Sequence, residues 1–273
     1  MKLNPALQQL LKIPEVSDVL IMGCDSSFVF DGAWKQVANP FRTAERLRQQ
    51  IIELVMNSGE RWDIAKPFVD FSVGNLRFHA LMGGVVANED QLAIRIHRER
   101  PIEDLDPKLG LIAESDDSYL ISGVTGSGKT TLLSQMLSHN DQRTVLVEQT
   151  PEIELSPPSV TIRSRRANIE GAGSLSSTEL LNQALRMRPD RIAIGEVRGA
   201  EVISLLLAIN NGHKGAAATI HAQSPEAVKS RLITLGLIAG VGRELVMDLS
   251  QSIDWLIHVE NCQLEGIYTW RDI

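Results

Sequence analysis

A glycine-rich segment that ends in Lys-Thr dictates what kind of domain this 273-residue chain must build around it. Residues 123–130 read Gly-Val-Thr-Gly-Ser-Gly-Lys-Thr and fit the pattern G-x-x-x-x-G-K-[ST]. The segment lies between Tyr119–Ser122, which predicts a strand, and a run from about Lys129 to Ser138 that predicts a helix. In that position glycines let backbone N–H groups curl around a phosphate, and the helix N-terminus adds partial positive charge. The pattern therefore predicts an α/β domain that binds a nucleotide.

Lys129 and Thr130 carry the expected chemistry of this segment. In such loops the lysine reaches the β- and γ-phosphate oxygens, and the hydroxyl that follows it is offered to Mg²⁺. The alternative is a degenerate glycine-rich turn that only packs a helix on a sheet. A lysine beside Thr130 and Thr131 would then cost folding free energy without serving a function, so we favour nucleotide and Mg²⁺ binding.

The part of the chain before this domain has a different pattern. Between Val19 and about Arg98, short β-rich runs are separated by glycines. One helix interrupts them, with Thr43 as its N-cap and Gly59 as its stop. This combination predicts a small α+β domain.

After Ser118, segments typical of strands alternate with segments typical of helices, which predicts parallel βαβ units. Between the two parts, residues 100–117 contain prolines, a glycine and several acidic residues, which favours a linker. We therefore predict an N-terminal α+β domain over residues 1–99, a linker over 100–117 and an α/β domain over 118–273.

Two glutamates and a histidine lie near the ends of predicted strands in the second domain. Glu148 ends one strand, Glu196 nearly ends a second, and His221 ends a third. Because the carboxyl ends of parallel strands form the edge where ligands bind, we expect these side chains to lie around the phosphates. Glu152, four residues after Glu148, is a further candidate. The predicted catalytic set is thus acidic, with one histidine that could sense the γ-phosphate or polarise water.

Each of these residues also has a purely structural interpretation. Glu196 could form a strand-end salt bridge with Arg198, and Glu152 could be a solvated loop charge. A lone histidine such as His221 is more often a satisfied structural residue than a catalytic one. The position of His221 at the same predicted edge as the phosphate loop favours a functional role.

The order of phosphate loop, Glu148 box, Glu196 strand and His221 box resembles the secretion ATPases. That hexameric family powers type II and type IV secretion and type IV pilus assembly. The chain resembles most its Tad (tight adherence, Flp-type) pilus branch, through the segments 165–171, 184–191, 195–201 and 212–222.

The resemblance implies a RecA-like P-loop ATPase domain, preceded by a PAS-like N-terminal domain, with ATP and Mg²⁺ as ligands. It implies that Glu148 to Glu152 form an acidic box, that Glu196 is the Walker B glutamate and that His221 belongs to a histidine box. Thr130 is the implied Mg²⁺ ligand. The implied nucleotide-binding residues are those of the Walker A loop: Gly123, Val124, Thr125, Gly126, Ser127, Gly128, Lys129, Thr130 and Thr131.

The resemblance also implies that arginines of the N-terminal domain act near the nucleotide phosphates. Arg77, Arg95 and Arg98 lie in the segments that look like the family's. Arg77 could instead form a surface ion pair. Arg95 and Arg98 are three residues apart, so on a strand they point to opposite faces and we expect only one of them to reach phosphate.

The resemblance implies a homohexameric ring that hydrolyses Mg·ATP and drives a platform protein of the inner membrane. Two other functions stay open: a RecA-like nucleic-acid translocase and a nucleotide-binding scaffold without turnover. A net charge of −7, a pI of about 5.4 and 4% aromatic residues disfavour nucleic-acid binding. The intact Lys129, Thr130, Glu148 and Glu196 disfavour a scaffold without turnover.

The compartment is expected to be cytoplasmic. Apolar runs such as Leu205–Ile209 are far shorter than the roughly 20 residues that span a bilayer. Residues 1–9 lack the apolar stretch of a signal peptide, and Cys24 and Cys262 lack the spacing of metal ligands. We expect peripheral membrane association, through the platform partner only.

Overall fold

The computed structural model describes residues 3–97, 102, 105–139, 142–165 and 173–273. The chain divides into two compact units, Met1–Arg98 and Glu99–Ile273, each with its own sheet. Both units combine helices with a sheet, so the fold is mixed α/β, as predicted. None of the helices in the described ranges is both long and apolar enough to cross a lipid bilayer.

The first unit is an antiparallel sheet of six strands with two helices. The sheet order is β3-β2-β1-β6-β5-β4, and every neighbouring pair is antiparallel. The elements in chain order are α1 (Pro5–Leu11), β1 (Asp18–Met22), β2 (Ser26–Phe30), β3 (Trp34–Val37), α2 (Ala44–Ser58), β4 (Phe68–Val73), β5 (Leu76–Leu81) and β6 (Gln91–Ile96).

Helix α2 is the helix that the sequence predicts. The Thr43 hydroxyl accepts a hydrogen bond from the Arg46 N–H, and Gly59 ends the helix in the left-handed conformation, at φ 72°. Leu47, Ile51 and Leu54 lie on one face and are buried in the core of this unit. The spacing of these leucine and isoleucine side chains therefore orients the helix on the sheet.

The second unit contains a sheet of seven strands in the order β13-β12-β7-β11-β10-β8-β9. All pairs are parallel except the terminal hairpin of β12 and β13. The elements are α3 (Pro107–Glu114), β7 (Tyr119–Gly123), α4 (Lys129–Leu137), β8 (Thr144–Glu148), β9 (Val160–Arg163), α5 (Ser177–Ala184), β10 (Arg191–Val197), α6 (Glu201–Asn210), β11 (Ala217–His221), α7 (Ala227–Ile238), α8 (Arg243–Ser250), β12 (Trp255–Glu260) and β13 (Gln263–Thr269), with short 3₁₀ turns at Leu185–Met187 and Trp270–Asp272.

The central strands of this sheet are buried on both faces. Along β7, Leu120 belongs to the apolar core that includes residues of α5 to α8, while Ile121 belongs to the core that includes residues of α3 and α4. In β8, Val147 belongs to the first of these cores and Leu146 to the second. Burial on both faces explains why these strands read as continuous apolar runs rather than as alternating ones.

The segment 100–117, for which the sequence predicts a linker, contains helix α3. The Asp106 carboxylate accepts a hydrogen bond from the Lys108 N–H, and Pro107 occupies the first turn, where its missing N–H costs nothing. Leu109 and Ile112 are buried in the core of the second unit. The proline and the acidic residues are therefore helix-start signals here, and this part of the segment is a packed element rather than a linker.

Candidate nucleotide-binding site

The glycine-rich loop connects β7 to α4 at the carboxyl edge of the second sheet. Gly128 has φ 98°, in the left-handed region, and begins α4 directly before Lys129. Gly123 is closely covered, because a Cβ there would lie 2.3 Å from the Val259 carbonyl oxygen and 2.4 Å from Ser127 Oγ. The loop therefore requires glycine at 128 for its backbone conformation and at 123 for close approach of its neighbours.

Lys129 folds back onto its own loop. Its side chain is buried, and Nζ donates a hydrogen bond to the Val124 carbonyl oxygen at 2.7 Å. Burial lowers the pKa of the ammonium, while the negative charges of Glu196 and Glu152 act in the opposite direction. The ammonium is thus held at the loop with little contact to solvent, where a phosphate would replace the hydration it lacks.

Ser127 supplies a second feature that fits an anionic ligand. The residue is 1% exposed, and its buried Oγ has no hydrogen-bond partner among the residues that the structure describes. A buried polar group without a partner costs about 1–3 kcal/mol. The unpaired hydroxyl, the buried ammonium and the glycine turn together match the donor set that a nucleotide phosphate requires.

Glu148 ends β8 and is 4% exposed. Burial raises the pKa of its carboxyl group to about 7, and the charge of Glu152 acts in the same direction. The Glu152 N–H lies 3.4 and 3.5 Å from the two carboxylate oxygens and is its hydrogen-bond donor in the loop after the strand. Glu152 is therefore not only a loop charge, because its backbone holds Glu148 and its carboxylate acts on the pKa of both Glu148 and Lys129.

Glu196 forms a close ion pair with Arg198, the salt bridge that the sequence leaves open as an alternative. The pair is partly exposed, and the charge of Glu196 still raises the pKa of Lys129. The register of β10 against β11 shifts between Ile194 and Val197, so the strand is irregular where Glu196 lies. A bulge of this kind re-aims side chains at a sheet edge.

His221 ends β11 directly beside the loop. In the parallel register of β11 and β7, it pairs with Gly123, and the next residue, Ala222, donates its N–H to the Gly123 carbonyl oxygen at 3.3 Å. Thr219, two residues earlier, donates its hydroxyl to the Gly195 carbonyl oxygen at 2.6 Å. The strand order therefore brings the histidine segment, the Glu196 strand and the phosphate loop to one edge.

The arginines predicted to act on the nucleotide lie in the first unit. Arg77 binds Asp70 through two hydrogen bonds, at 2.9 and 2.7 Å, so the alternative of a surface ion pair is formed. Arg95, opposite Arg77 in the sheet register, contacts Asp18 at 2.9 Å. Arg98 lies outside the described residues.

The terminal hairpin lies against the phosphate loop, a contact that sequence reasoning misses. Cys262, in the turn between β12 and β13, donates its N–H to the Ser127 carbonyl oxygen at 3.0 Å. At the base of the hairpin, His258 Nδ1 lies 2.8 Å from Ser122 Oγ, and both side chains are buried. Burial lowers the pKa of His258, the charges of Glu260, Glu265 and Glu226 act in the opposite direction, and the charge of Lys129 makes a smaller contribution that lowers it. Nothing in the local sequence around this turn indicates which loop it touches.

Thr130 lies in the first turn of α4, next to Lys129. Among the residues that the structure describes, no group of three or more His, Cys, Asp or Glu side chains is arranged to hold a metal ion. Mg²⁺ commonly binds through one or two protein ligands together with phosphate oxygens and water. A single hydroxyl in the first turn after the loop suits that kind of coordination.

Comparisons with known proteins show the family and the fold of this chain. The profile of the family described as "Type II/IV secretion system protein" matches residues 102–263. A Mycobacterium tuberculosis protein whose name assigns it to conjugal transfer is 38% identical over 278 residues, which cover 93% of this chain and 79% of that protein.

Two solved structures share the fold at low sequence identity. The ATPase DotB of Legionella pneumophila superimposes with a TM-score of 0.65 at 17% identity, covering 95% of this chain and 77% of that one. The pilus retraction motor PilT with bound ADP gives 0.62 at 18% identity, covering 94% and 78%. From the family profile and the mycobacterial relative we conclude that this chain belongs to the family of type II/IV secretion system proteins.

Proposed function

We propose that this chain is a P-loop ATPase that hydrolyses Mg·ATP and works as a motor for pilus assembly or protein secretion. The observation that carries the proposal is the buried Lys129 ammonium on a glycine loop that lies at the same sheet edge as His221, the last residue of β11. Family membership supports the same conclusion. A cation at the loop and carboxylates at the facing strand ends are the groups that phosphoryl transfer to water needs.

Binding falls to the loop and the first turn of α4. Backbone N–H groups of residues 124–131 would hold the β-phosphate, and Lys129 would leave the Val124 carbonyl oxygen to bind the β- and γ-oxygens. Thr130 would hold Mg²⁺, which when bound supplies charge neutralisation on the phosphates. The unpaired Ser127 hydroxyl gains a partner in the same event.

Hydrolysis falls to the carboxylates. The attacking water must lose a proton, and a base works best when its pKa lies near the working pH. Glu148, with a pKa of about 7, is the group that can take up and release that proton. Glu196, held by Arg198, orients the water, and His221 donates or accepts a hydrogen bond at the γ-phosphate end.

The finer architecture follows the family. We propose that the first unit is a PAS-like domain and the second a RecA-like ATPase domain, and that six chains form a ring. In the ring, Arg77 or Arg95 would exchange its surface partner for phosphate oxygens, or Arg98 would bind those oxygens. Such an arginine stabilises charge that develops on the transferring phosphoryl group.

We further propose that the ring acts at the cytoplasmic face of the inner membrane on a platform protein. The relatives whose names refer to conjugal transfer and type IV secretion support this class of partner. The net charge of −7 disfavours a function as a nucleic-acid translocase, because such proteins neutralise phosphates with lysine and arginine.

Phosphate release under multiple turnover tests the proposal. The full chain should release many phosphates per protomer from Mg·ATP, and Lys129→Ala should release none. Lys35→Ala is the matched control, because Lys35 is an exposed lysine in a surface ion pair with Asp31. One phosphate or fewer per protomer in the unmodified chain would leave a nucleotide-binding scaffold. Mass measurement with and without Mg·ATP tests the ring.

A further inference from the structure

The turn between β12 and β13 is built in an unusual way. Glu260 pairs with Gln263, so Asn261 and Cys262 form a two-residue turn, and their φ angles are 51° and 59°. Turns of this shape strongly favour glycine in the second position, because residues with a Cβ are strained in the left-handed region. Cys262 therefore occupies a strained backbone conformation, which the contacts of this turn must maintain.

Cys262 uses its backbone and its side chain on the phosphate loop. Its N–H donates to the Ser127 carbonyl oxygen at 3.0 Å, and its thiol lies 3.8 Å from the Gly126 carbonyl oxygen. Its Cα would lie only 3.3 Å from a Cβ at Gly128. Two consecutive carbonyl groups of the loop thus face this one residue.

The hydrogen bond to Ser127 fixes a whole peptide unit. A trans peptide is planar, so its carbonyl and its N–H point in opposite directions. When the Ser127 carbonyl is held toward the hairpin, the N–H of Gly128 is turned to the other side of the loop. Aligned N–H groups of that kind form the concave nest that binds phosphate.

Strand β12 of the hairpin also contacts the strand that leads into the loop. Strand β12 runs parallel to β7, with His258 in register with Ser122, and the two side chains meet at 2.8 Å. Ser122 directly precedes Gly123, the first residue of the loop. The hairpin therefore contacts the loop at its entry and near its end, from a strand that is part of the same sheet.

We infer that the β12–β13 turn positions the phosphate loop for nucleotide binding, with the backbone amide of Cys262 as the positioning group. The inference rests on the proposed ATPase function and deepens it. Cys262 acts through the Ser127–Gly128 peptide, and in doing so it lowers the cost of ordering the loop around the phosphate.

Two variants test the inference: one substitutes glycine for Cys262, and the other inserts a glycine before Cys262. Cys262→Gly keeps the amide and suits the turn, so the Kd for Mg·ADP should stay within about twofold of the unmodified chain. Inserting a glycine between Asn261 and Cys262 lengthens the turn and displaces the amide. Loss of one hydrogen bond that acts only on the loop should raise that Kd about tenfold. An insertion variant that binds Mg·ADP as the unmodified chain does would overturn the inference.

A second measurement needs no variant and keeps the test decisive if the insertion unfolds the hairpin. Coupling is reciprocal, so if the amide favours nucleotide binding, nucleotide must strengthen the amide hydrogen bond by the same factor. Hydrogen–deuterium exchange at residue 262 in the full chain should therefore slow about tenfold when Mg·ADP is added. Unchanged exchange in a chain that binds Mg·ADP overturns the inference alone, while a chain that binds no Mg·ADP overturns the proposed function as well.

Discussion

Glu148 occupies the space that a side chain at position 195 would need, because a Cβ on Gly195 would lie 3.0 Å from the Cγ of Glu148. The two residues belong to neighbouring parallel strands whose register pairs Val147 with Ile194. The glycine lets the carboxyl group sink to 4% exposure, and burial raises the pKa of that group to about 7. Gly195 thus affects the pKa of Glu148, which lies on the neighbouring strand.

Gly195→Ala should slow turnover by displacing Glu148. A misplacement of about 1 Å at a reacting group can cost about 10²-fold in rate, and a Cβ here would move Glu148 by only a few tenths of an ångström, so kcat should fall severalfold, up to about tenfold. The Kd for Mg·ADP should change little, because the phosphate loop is untouched. Gly242→Ala is the control, since a Cβ there meets nothing within 4 Å. Equal phosphate release by both variants would contradict the assignment of Glu148.

Glu196→Gln should keep ATP binding and stall hydrolysis. The amide preserves the shape of the side chain but removes the carboxylate that orients water. Partly exposed ion pairs contribute only about 0–1 kcal/mol, so the free energy of unfolding should hardly change. Arg198→Ala breaks the same ion pair and measures its share of stability separately. If Glu196→Gln unfolds the chain, Glu196 is a structural residue rather than a catalytic one.

The raised pKa of Glu148 gives stability a specific pH dependence. The ordinary value is 4.5 and the folded value about 7, so the folded state binds this proton more firmly than the unfolded chain does. The contribution is fully present below 4.5 and is lost as pH rises through about 7. Glu148→Gln stays neutral throughout. Its Tm advantage over the unmodified chain should therefore be larger at about pH 8.5 than at about pH 5.5, and thermal melts that show equal differences would contradict the buried carboxyl.

Arginines of the first unit should act on the nucleotide only in an assembled ring. An arginine supplied to a P-loop site can be worth roughly 10³–10⁵ in rate. ATPase activity of Arg77→Ala, Arg95→Ala and Arg98→Ala should be measured against protein concentration, with Arg46→Ala, at an exposed position of α2, as control. Specific activity should rise with assembly, and at least one variant should assemble normally yet stay slow. Activity that is independent of concentration while light scattering shows dissociation would indicate a self-contained monomer.

Local patterns predicted much of the fold. The glycine loop and the amphipathic α2 with its Thr43 and Gly59 boundaries each carry their signal within a few residues. Strand β3 escaped prediction because three of its four residues are exposed and no alternation appears. Proline and acidic residues are typical of both linkers and helix starts, so the pattern predicts a linker where the structure has helix α3.

The site could be predicted only in part, for a different reason. Strand-end positions placed Glu148, Glu196 and His221 at one edge, because parallel strands share their direction. Strand order is not written in any local pattern, and it is the order that puts β12 beside β7 and β10 beside β8. The contacts of Cys262 with the loop and of Gly195 with Glu148 depend on that order, so no local motif reveals them.

The hydrogen bond from Lys129 to Val124 makes the chain its own competitor for ligands. An anion that binds the Lys129 ammonium must displace the Val124 carbonyl oxygen, which lies 2.7 Å away. Because that oxygen belongs to the same chain, its contact with the ammonium costs no translational entropy. A ligand with one weak negative charge competes poorly with this carbonyl oxygen for the ammonium. A polyphosphate contacts several N–H groups and the ammonium together, and these contacts together are strong enough to displace the carbonyl oxygen. The loop thereby discriminates by the number of contacts a ligand makes at once, before any base or sugar is recognised.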